Sequence, residues 1–193
     1  MDFLQYWEEH KLKYVGFNIS DKGTQHDYIE TYYANEFNDI KDKELRLVEI
    51  GIGDGYSLVL WREWFTKAEI FAIELYPYAY QHDVPFEIEG ATSIFKNAYT
   101  QETLDMFEDN TIDYLIDDGS HSFEHQIYCI EHWLAKIKNG GKLVIEDVQD
   151  IDHIKTFEKI ISDNNLNVSF KTFDMRQNKD RYDDIIFEIT KKI

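Results

Sequence analysis

The sequence contains one cysteine, Cys129, so no disulfide can form within the chain. Positive charge is scarce: 20 lysines and arginines stand against 38 acidic residues, a net charge of −18. The cations are scattered, and the Lys191-Lys192 pair is too short to make a patch. Such a surface repels phosphate backbones and anionic membranes. No apolar run approaches the ~20 residues that span a bilayer. The opening MDFLQYWEEH has neither the basic n-region nor the apolar core of a secretion signal. No repeat, low-complexity tract or Pro/Gly-rich linker divides the chain. These absences predict a cytoplasmic protein that binds neither nucleic acid nor membrane.

What is present is a chain of 193 residues, 43% apolar and 16% aromatic, enough for one domain (1–193) with a substantial core. Thirteen tyrosines and 13 phenylalanines leave room for an apolar interface, so a homo-oligomer stays open. Residues 1–40 read as two helices, one carrying Phe3, Leu4, Trp7 and Leu12 and the other Tyr28, Tyr32, Tyr33 and Phe37, with the polar turn NISDKGTQHD between them.

From Leu45 onward strands and helices alternate. Strands are predicted at 45–50, 69–75, 111–118 and 141–147, with weaker candidates in FEIEG and TSIFKN. Helices are predicted at 56–65, in QETLDMF, at 122–137 and at 151–162. Asn139-Gly140-Gly141 is read as the stop of the third of these helices. Two closing strands, VSFKTFDM and DIIFEIT, flank the polar turn QNKDRYD and are close enough to pair antiparallel. The fold class is therefore α/β, a doubly wound, mostly parallel sheet. Ligands in such sheets bind at the carboxyl ends of strands.

Gly51, Gly53 and Gly55 follow one strand and precede a helix. The G-x-G-x-G spacing differs from the G-x-G-x-x-G of pyrophosphate sites, which leaves NAD as the alternative ligand. Glu49 before the turn suits a cationic group, and Glu74, 25 residues later at the end of the next strand, suits a ribose diol. Together they point to S-adenosylmethionine.

IDDGSHSFEH ends one strand and VIEDV the next. If those strands are neighbours, Asp118, Glu146 and Asp147 converge, and three carboxylates repel unless a cation joins them. Hard oxygen ligands favour Mg²⁺, Mn²⁺ or Ca²⁺ over zinc. Strand alternation turns Asp117 away from Asp118, so it is read as a supporting residue and grouped with the cofactor set. His121 could take a proton from a hydroxyl that attacks the cofactor's methyl group. A competing reading exists: HSFEH matches the H-x-x-E-H of inverted zinc peptidases, with His125 as the second histidine.

DDGSH, GG-x-x-VIED and the upstream DKGTQHDYIETYY together resemble the metal-dependent sugar O-methyltransferases of macrolide biosynthesis, the macrocin and mycinamicin enzymes among them, and related uncharacterised bacterial and phage methyltransferases. The resemblance runs from about Ser20 to the C-terminal strands. It implies a seven-stranded Rossmann-like methyltransferase fold, Mg²⁺ (or Mn²⁺) on Asp118, Glu146 and Asp147, and His121 as general base. It also implies S-adenosylmethionine on Glu49, Gly51 and Glu74, and a small sugar-containing acceptor. Lys22 to Tyr32 matches the family's N-terminal lid, with His26 and Tyr28 near the active site; a plain helix-entry loop capped by Thr24 or Asp27 is the other reading. After the third strand Asn97-Ala98 replaces the family's acidic-glutamine pair, which leaves Asn97 as the adenine-side residue. A metal-independent methyltransferase acting on nitrogen or protein, and a cofactor-binding protein without chemistry, are the further alternatives.

Overall fold

Two apolar clusters sandwich the central strands, and strand alternation assigns each residue to one of them. Leu47, Ile70, Ala72, Ile116 and Val144 join one cluster, whereas Val48, Ile73, Leu115, Leu143 and Ile145 join the other. This two-residue period is what a sheet buried on both faces requires. The computed structural model describes residues 1–11, 20–53, 55–76 and 89–193. Leu12, Asp54 and most of FEIEG lie outside them.

The sheet has seven strands: β1 (Arg46–Ile50), β2 (Glu69–Glu74), β3 (Ala91–Phe95), β4 (Ile112–Asp117), β5 (Ile137–Ile145), β6 (Val168–Asp174) and β7 (Ile185–Lys191). Their order is β3-β2-β1-β4-β5-β7-β6. β1 to β5 pair in parallel, and β7 runs antiparallel to both β5 and β6. The expected doubly wound, mostly parallel sheet is present. Its winding reverses between β1 and β4, where such sheets take their ligands.

Around the sheet lie α1 (Phe3–His10), α2 (Asp21–Thr24), α3 (Ala34–Phe37), α4 (Tyr56–Trp64), α5 (Gln101–Leu104), α6 (Phe123–Glu131), α7 (Ile151–Asp163) and α8 (Arg176–Lys179). The expected second helix is a continuous run in which a π-helical turn (Ile29–Tyr33) leads into α3 and a 3₁₀ turn (Asn38–Ile40). The polar turn before it contains α2, and the polar turn before β7 contains α8.

One boundary differs from the sequence reading. The helix expected over 122–137 ends as α6 at Glu131, and β5 starts at Ile137 rather than Gly141. Asn139-Gly140-Gly141 is not a helix stop but a bulge inside β5, where the pairing with β4 jumps from Ile112↔Ile137 to Tyr114↔Lys142. Gly140 takes φ +83°, a left-handed conformation that glycine adopts freely in such a bulge.

The N-terminal helices are held on one face of the sheet by aromatic contacts. Phe3 meets Trp64 at 5.0 Å, Tyr33 meets Trp61 at 5.1 Å and Phe37 meets Phe65 at 4.8 Å between ring centroids. Each such pair adds about 0.5–1.5 kcal/mol beyond the burial itself. This packing carries residues 20–33 across the carboxyl ends of β1, β4 and β5.

Candidate active site

The glycine turn and the DDGSH loop are built against each other. Past the strand ends the backbone bonding continues: Gly51 N–H donates to Ile73 O (2.9 Å), Asp118 N–H to Ile50 O (2.9 Å) and Glu146 N–H to Asp117 O (3.0 Å). Gly51 has φ +75°, and a Cβ there would lie 2.1 Å from the carbonyl oxygen of Asp118. Only glycine fits, for both reasons.

These loops border a cleft of about 610 Å³, a size typical of small-molecule sites. Gly51, Gly53, Glu74 and Asn97 line one side; Asp118, His121 and Lys22 line the other. Glu74 accepts the backbone N–H groups of Ile52 (3.2 Å) and Leu75 (2.7 Å). Asn97 accepts from Tyr99 N–H at 2.9 Å. Gly55, also left-handed at φ +80°, caps α4 behind the turn.

Glu49 stands behind the wall and is fully buried. Its Oε2 accepts from Ser57 (2.9 Å) and Trp61 (3.0 Å), and its Oε1 lies 3.5 Å from Lys22 Nζ and has no hydrogen bond among the described residues. Burial pushes this carboxyl up to about 7, against the pull of Lys22 and with the repulsion of Glu146. A carboxylate oxygen left without a hydrogen bond beside the cleft fits a ligand ammonium group.

Alternation sends Glu49, Asp118 and Glu146 to one face of the sheet and Asp117 to the other. Asp117 accepts from Tyr99 O–H (2.7 Å) and from Cys129 S–H (3.4 Å), and it does not line the cleft. It acts on the cleft wall through Tyr99, whose ring stacks on His125 at 3.9 Å.

The buried ammonium of Lys22 fills the centre of the acidic group. It donates to Asp118 Oδ2 at 2.5 Å and, at closer range, to Glu146 Oε2. Tyr33 O–H occupies the other oxygen of Glu146. Burial alone would lower the Lys22 pKa, but Asp118, Glu146, Glu49 and Asp21 together hold it well above the usual lysine range. Burial raises the carboxyl groups of Asp118 and Glu146, opposed by Lys22.

Asp147 faces away from Lys22. Its Oδ1 accepts from Tyr28 O–H at 2.5 Å and its Oδ2 lies 3.7 Å from His121 Nε2. His26 stacks on Tyr28 at 4.7 Å, bonds Asp184, and comes within 3.6 Å of Asp147. His121 and Asp147 both adopt left-handed backbone, φ +54° and +50°, conformations uncommon for residues with a Cβ. Such local strain is kept where the surroundings fix a side chain's aim.

Among the described residues, one atom each from Asp118, His121 and Asp147 lie within 4.8 Å of one another, close enough to share a metal ion. Two carboxylates and an imidazole suit a divalent cation. Glu146, expected in this set from the sequence, is drawn off by Lys22 and Tyr33 instead.

The zinc-peptidase reading of HSFEH fails on geometry. His125 turns to Ser120 Oγ (2.5 Å) and Tyr99, Glu124 is exposed, and the metal-capable group contains His121 without His125. Sequence reasoning also overlooked groups that hold the site together. Ser57, Trp61 and Tyr33 were legible only as helix positions; Asp184 had a signal, an acid pair directly before β7.

A seven-stranded sheet of this order, with a glycine turn after β1 and acids after β4 and β5, defines a methyltransferase-type domain. The chain belongs to the family described as Methyltransferase domain, whose model matches residues 48–148, just over half of it. It is 28% identical over 139 residues to the 8-demethyl-8-(2-methoxy-alpha-L-rhamnosyl)-tetracenomycin-C 3'-O-methyltransferase of Streptomyces olivaceus, a match covering 68% of this chain and 35% of that protein. To the mycinamicin VI 2''-O-methyltransferase of Micromonospora griseorubida it is 26% identical, over 61% of this chain and 30% of that protein. The chain thus spans about a third of the length of these relatives. Its fold matches that of a mycinamycin-pathway methyltransferase solved with Mg, SAH and mycinamycin VI: TM-score 0.68, 17% identity, all of this chain and 55% of that one. The fold is accordingly the Rossmann-like methyltransferase fold.

Proposed function

We propose that this chain transfers the methyl group of S-adenosylmethionine to a hydroxyl of a small acceptor, a sugar or glycoside, with the help of Mg²⁺ or Mn²⁺. One observation carries the reading: the glycine turn that follows Glu49 and the loop that carries Asp118 and His121 border one cleft, with Gly51 against the Asp118 carbonyl. The relatives' names support the acceptor class: one specifies the 3' oxygen of a rhamnosyl-tetracenomycin and the other the 2'' oxygen of mycinamicin VI.

The residues divide the work. Glu49 takes the amino group of the donor, Glu74 its ribose hydroxyls and Asn97 the adenine side, while Gly51 and Gly53 let the donor approach the backbone. Asp118, Asp147 and Glu146 hold the metal, which when bound would lower the pKa of an acceptor hydroxyl and fix its direction. His121 receives the hydroxyl proton at Nε2, and Asp147 Oδ2, 3.7 Å away, favours the resulting imidazolium. Tyr28 and His26 fix the aim of Asp147 from the N-terminal region, which serves the domain as a lid.

The test is a labelled-methyl assay on a panel of sugars, glycosides and nucleotide sugars, with and without Mg²⁺. Transfer to a hydroxyl that stops on chelation is expected. Transfer that persists with chelator would remove the metal from the reading, and no transfer to any member of the panel would favour an enzyme acting on nitrogen or protein.

A further inference from the structure

We propose that Lys22 is a positioning residue that stands in for the divalent cation: its ammonium holds Asp118 and Glu146 together in the metal-free protein and withdraws when the metal binds. This rests on the metal-assisted reading above. The Lys22 Nζ lies 2.5 Å from Asp118 Oδ2, closer still to Glu146 Oε2, and 3.5 Å from Glu49. A divalent cation held by the same two carboxylates would take the place of the ammonium between them. The ammonium and the ion would then share one place, and like charges at that range exclude each other. The lysine is 1% exposed, so solvent cannot screen the conflict.

The arrangement also explains why Asp118, His121 and Asp147 form the metal-capable group here. Both Glu146 oxygens are taken, one by the lysine and one by Tyr33, whereas the lysine takes only one oxygen of Asp118. Once the ammonium leaves, Glu146 is free to join Asp118 and Asp147, and His121 is free to serve as base. An all-oxygen set suits Mg²⁺ better than one with imidazole. Lys22 has somewhere to go, because it lies on a single helical turn at the border of the open cleft. Metal loading therefore moves the segment that borders the donor site.

The experiment is calorimetric titration of the full chain with MnCl₂ at pH 8, comparing wild type with Lys22→Met. The variant is expected to bind Mn²⁺ roughly tenfold or more tightly, because no ammonium has to be displaced from its charged hydrogen bonds. Equal or weaker binding by the variant, the result for a plain structural strut, overturns the inference and leaves the metal reading standing. Absence of binding to both proteins removes the metal reading and the inference with it. Should Lys22→Met fail to fold, amine acylation of the wild type decides, read by peptide mass spectrometry. Lys22 modification is expected to rise severalfold when Mn²⁺ is bound; unchanged or reduced modification overturns the inference.

Discussion

The buried acids beside the cleft and the groups that answer them come from different kinds of structure. Glu49, Asp118 and Glu146 stand at the ends of adjacent parallel strands, and strand register and alternation decide where they point. Lys22, His26, Tyr28 and Tyr33 come from one stretch of chain ahead of the sheet, and tertiary packing decides their partners. The sheet gathers charge that it cannot stabilise alone, and the N-terminal segment supplies the cation and the donors that make the gathering tolerable. Each side of this pairing can be broken separately.

The largest effect is expected on the sheet side. Replacing His121 by alanine should lower kcat by about 10²–10⁴-fold, the usual worth of a general base, with affinity for S-adenosylhomocysteine unchanged. Steady-state kinetics and calorimetry check the two halves; a kcat within twofold of wild type, roughly, would remove His121 from the chemistry.

On the N-terminal side, Lys22→Met should cost the metal-free protein about 3–5 kcal/mol in urea unfolding, because it leaves buried carboxylates unpaired. Mn²⁺ should return much of that loss in the variant. A loss unaffected by Mn²⁺ would mean that the lysine packs rather than compensates charge.

How much of this was visible beforehand follows the same division. The alternation of strands and helices, the glycine turn and the positions of Glu49, Glu74, Asp118, His121 and Asp147 at strand ends follow from patterns a few residues long, and these are legible in the sequence. Lys22 is legible only as part of a lid motif, since its partner Asp118 is 96 residues away and no local pattern joins them. The β5 bulge was misread for a related reason. Asn139-Gly140-Gly141 has the composition of a helix stop, and only the pairing with β4 reveals it as part of a strand. The acid pair before β7 marks Asp184, but its bond to His26 and that of Tyr33 to Glu146 depend on where the N-terminal helices settle, which no local pattern carries.

Glu49 offers a finer test of the boundary between the two regions. With its carboxyl raised to about 7, the folded chain keeps a proton that the unfolded chain releases near 4.5. This group's contribution to stability is therefore full below about pH 4.5 and is lost as pH rises through about 7. Donor binding runs the other way, because the ionised carboxylate is the form that attracts an ammonium. Affinity for S-adenosylhomocysteine should rise about tenfold per pH unit up to about 7 and then level off. Glu49→Gln should bind weakly at every pH, and a wild-type profile flat from pH 5.5 to 8, roughly, would contradict the assignment.

The smallest effect belongs to Tyr28→Phe, which removes one hydrogen bond to Asp147 and leaves the ring stacked on His26. About 1 kcal/mol of stability should be lost. Mn²⁺ affinity should fall roughly tenfold, the low end for a group that orients a ligand. Unaltered metal affinity would separate Tyr28 from the site.

The central claim is that the donor turn and the carboxylate cluster form one site, and paramagnetic broadening measures this most directly. With Mn²⁺ and S-adenosylhomocysteine both bound to the full chain, the ligand protons flanking the sulfur should broaden strongly, and the effect should vanish in Asp118→Ala/Asp147→Ala. Sharp ligand resonances with both partners shown to be bound would contradict the account.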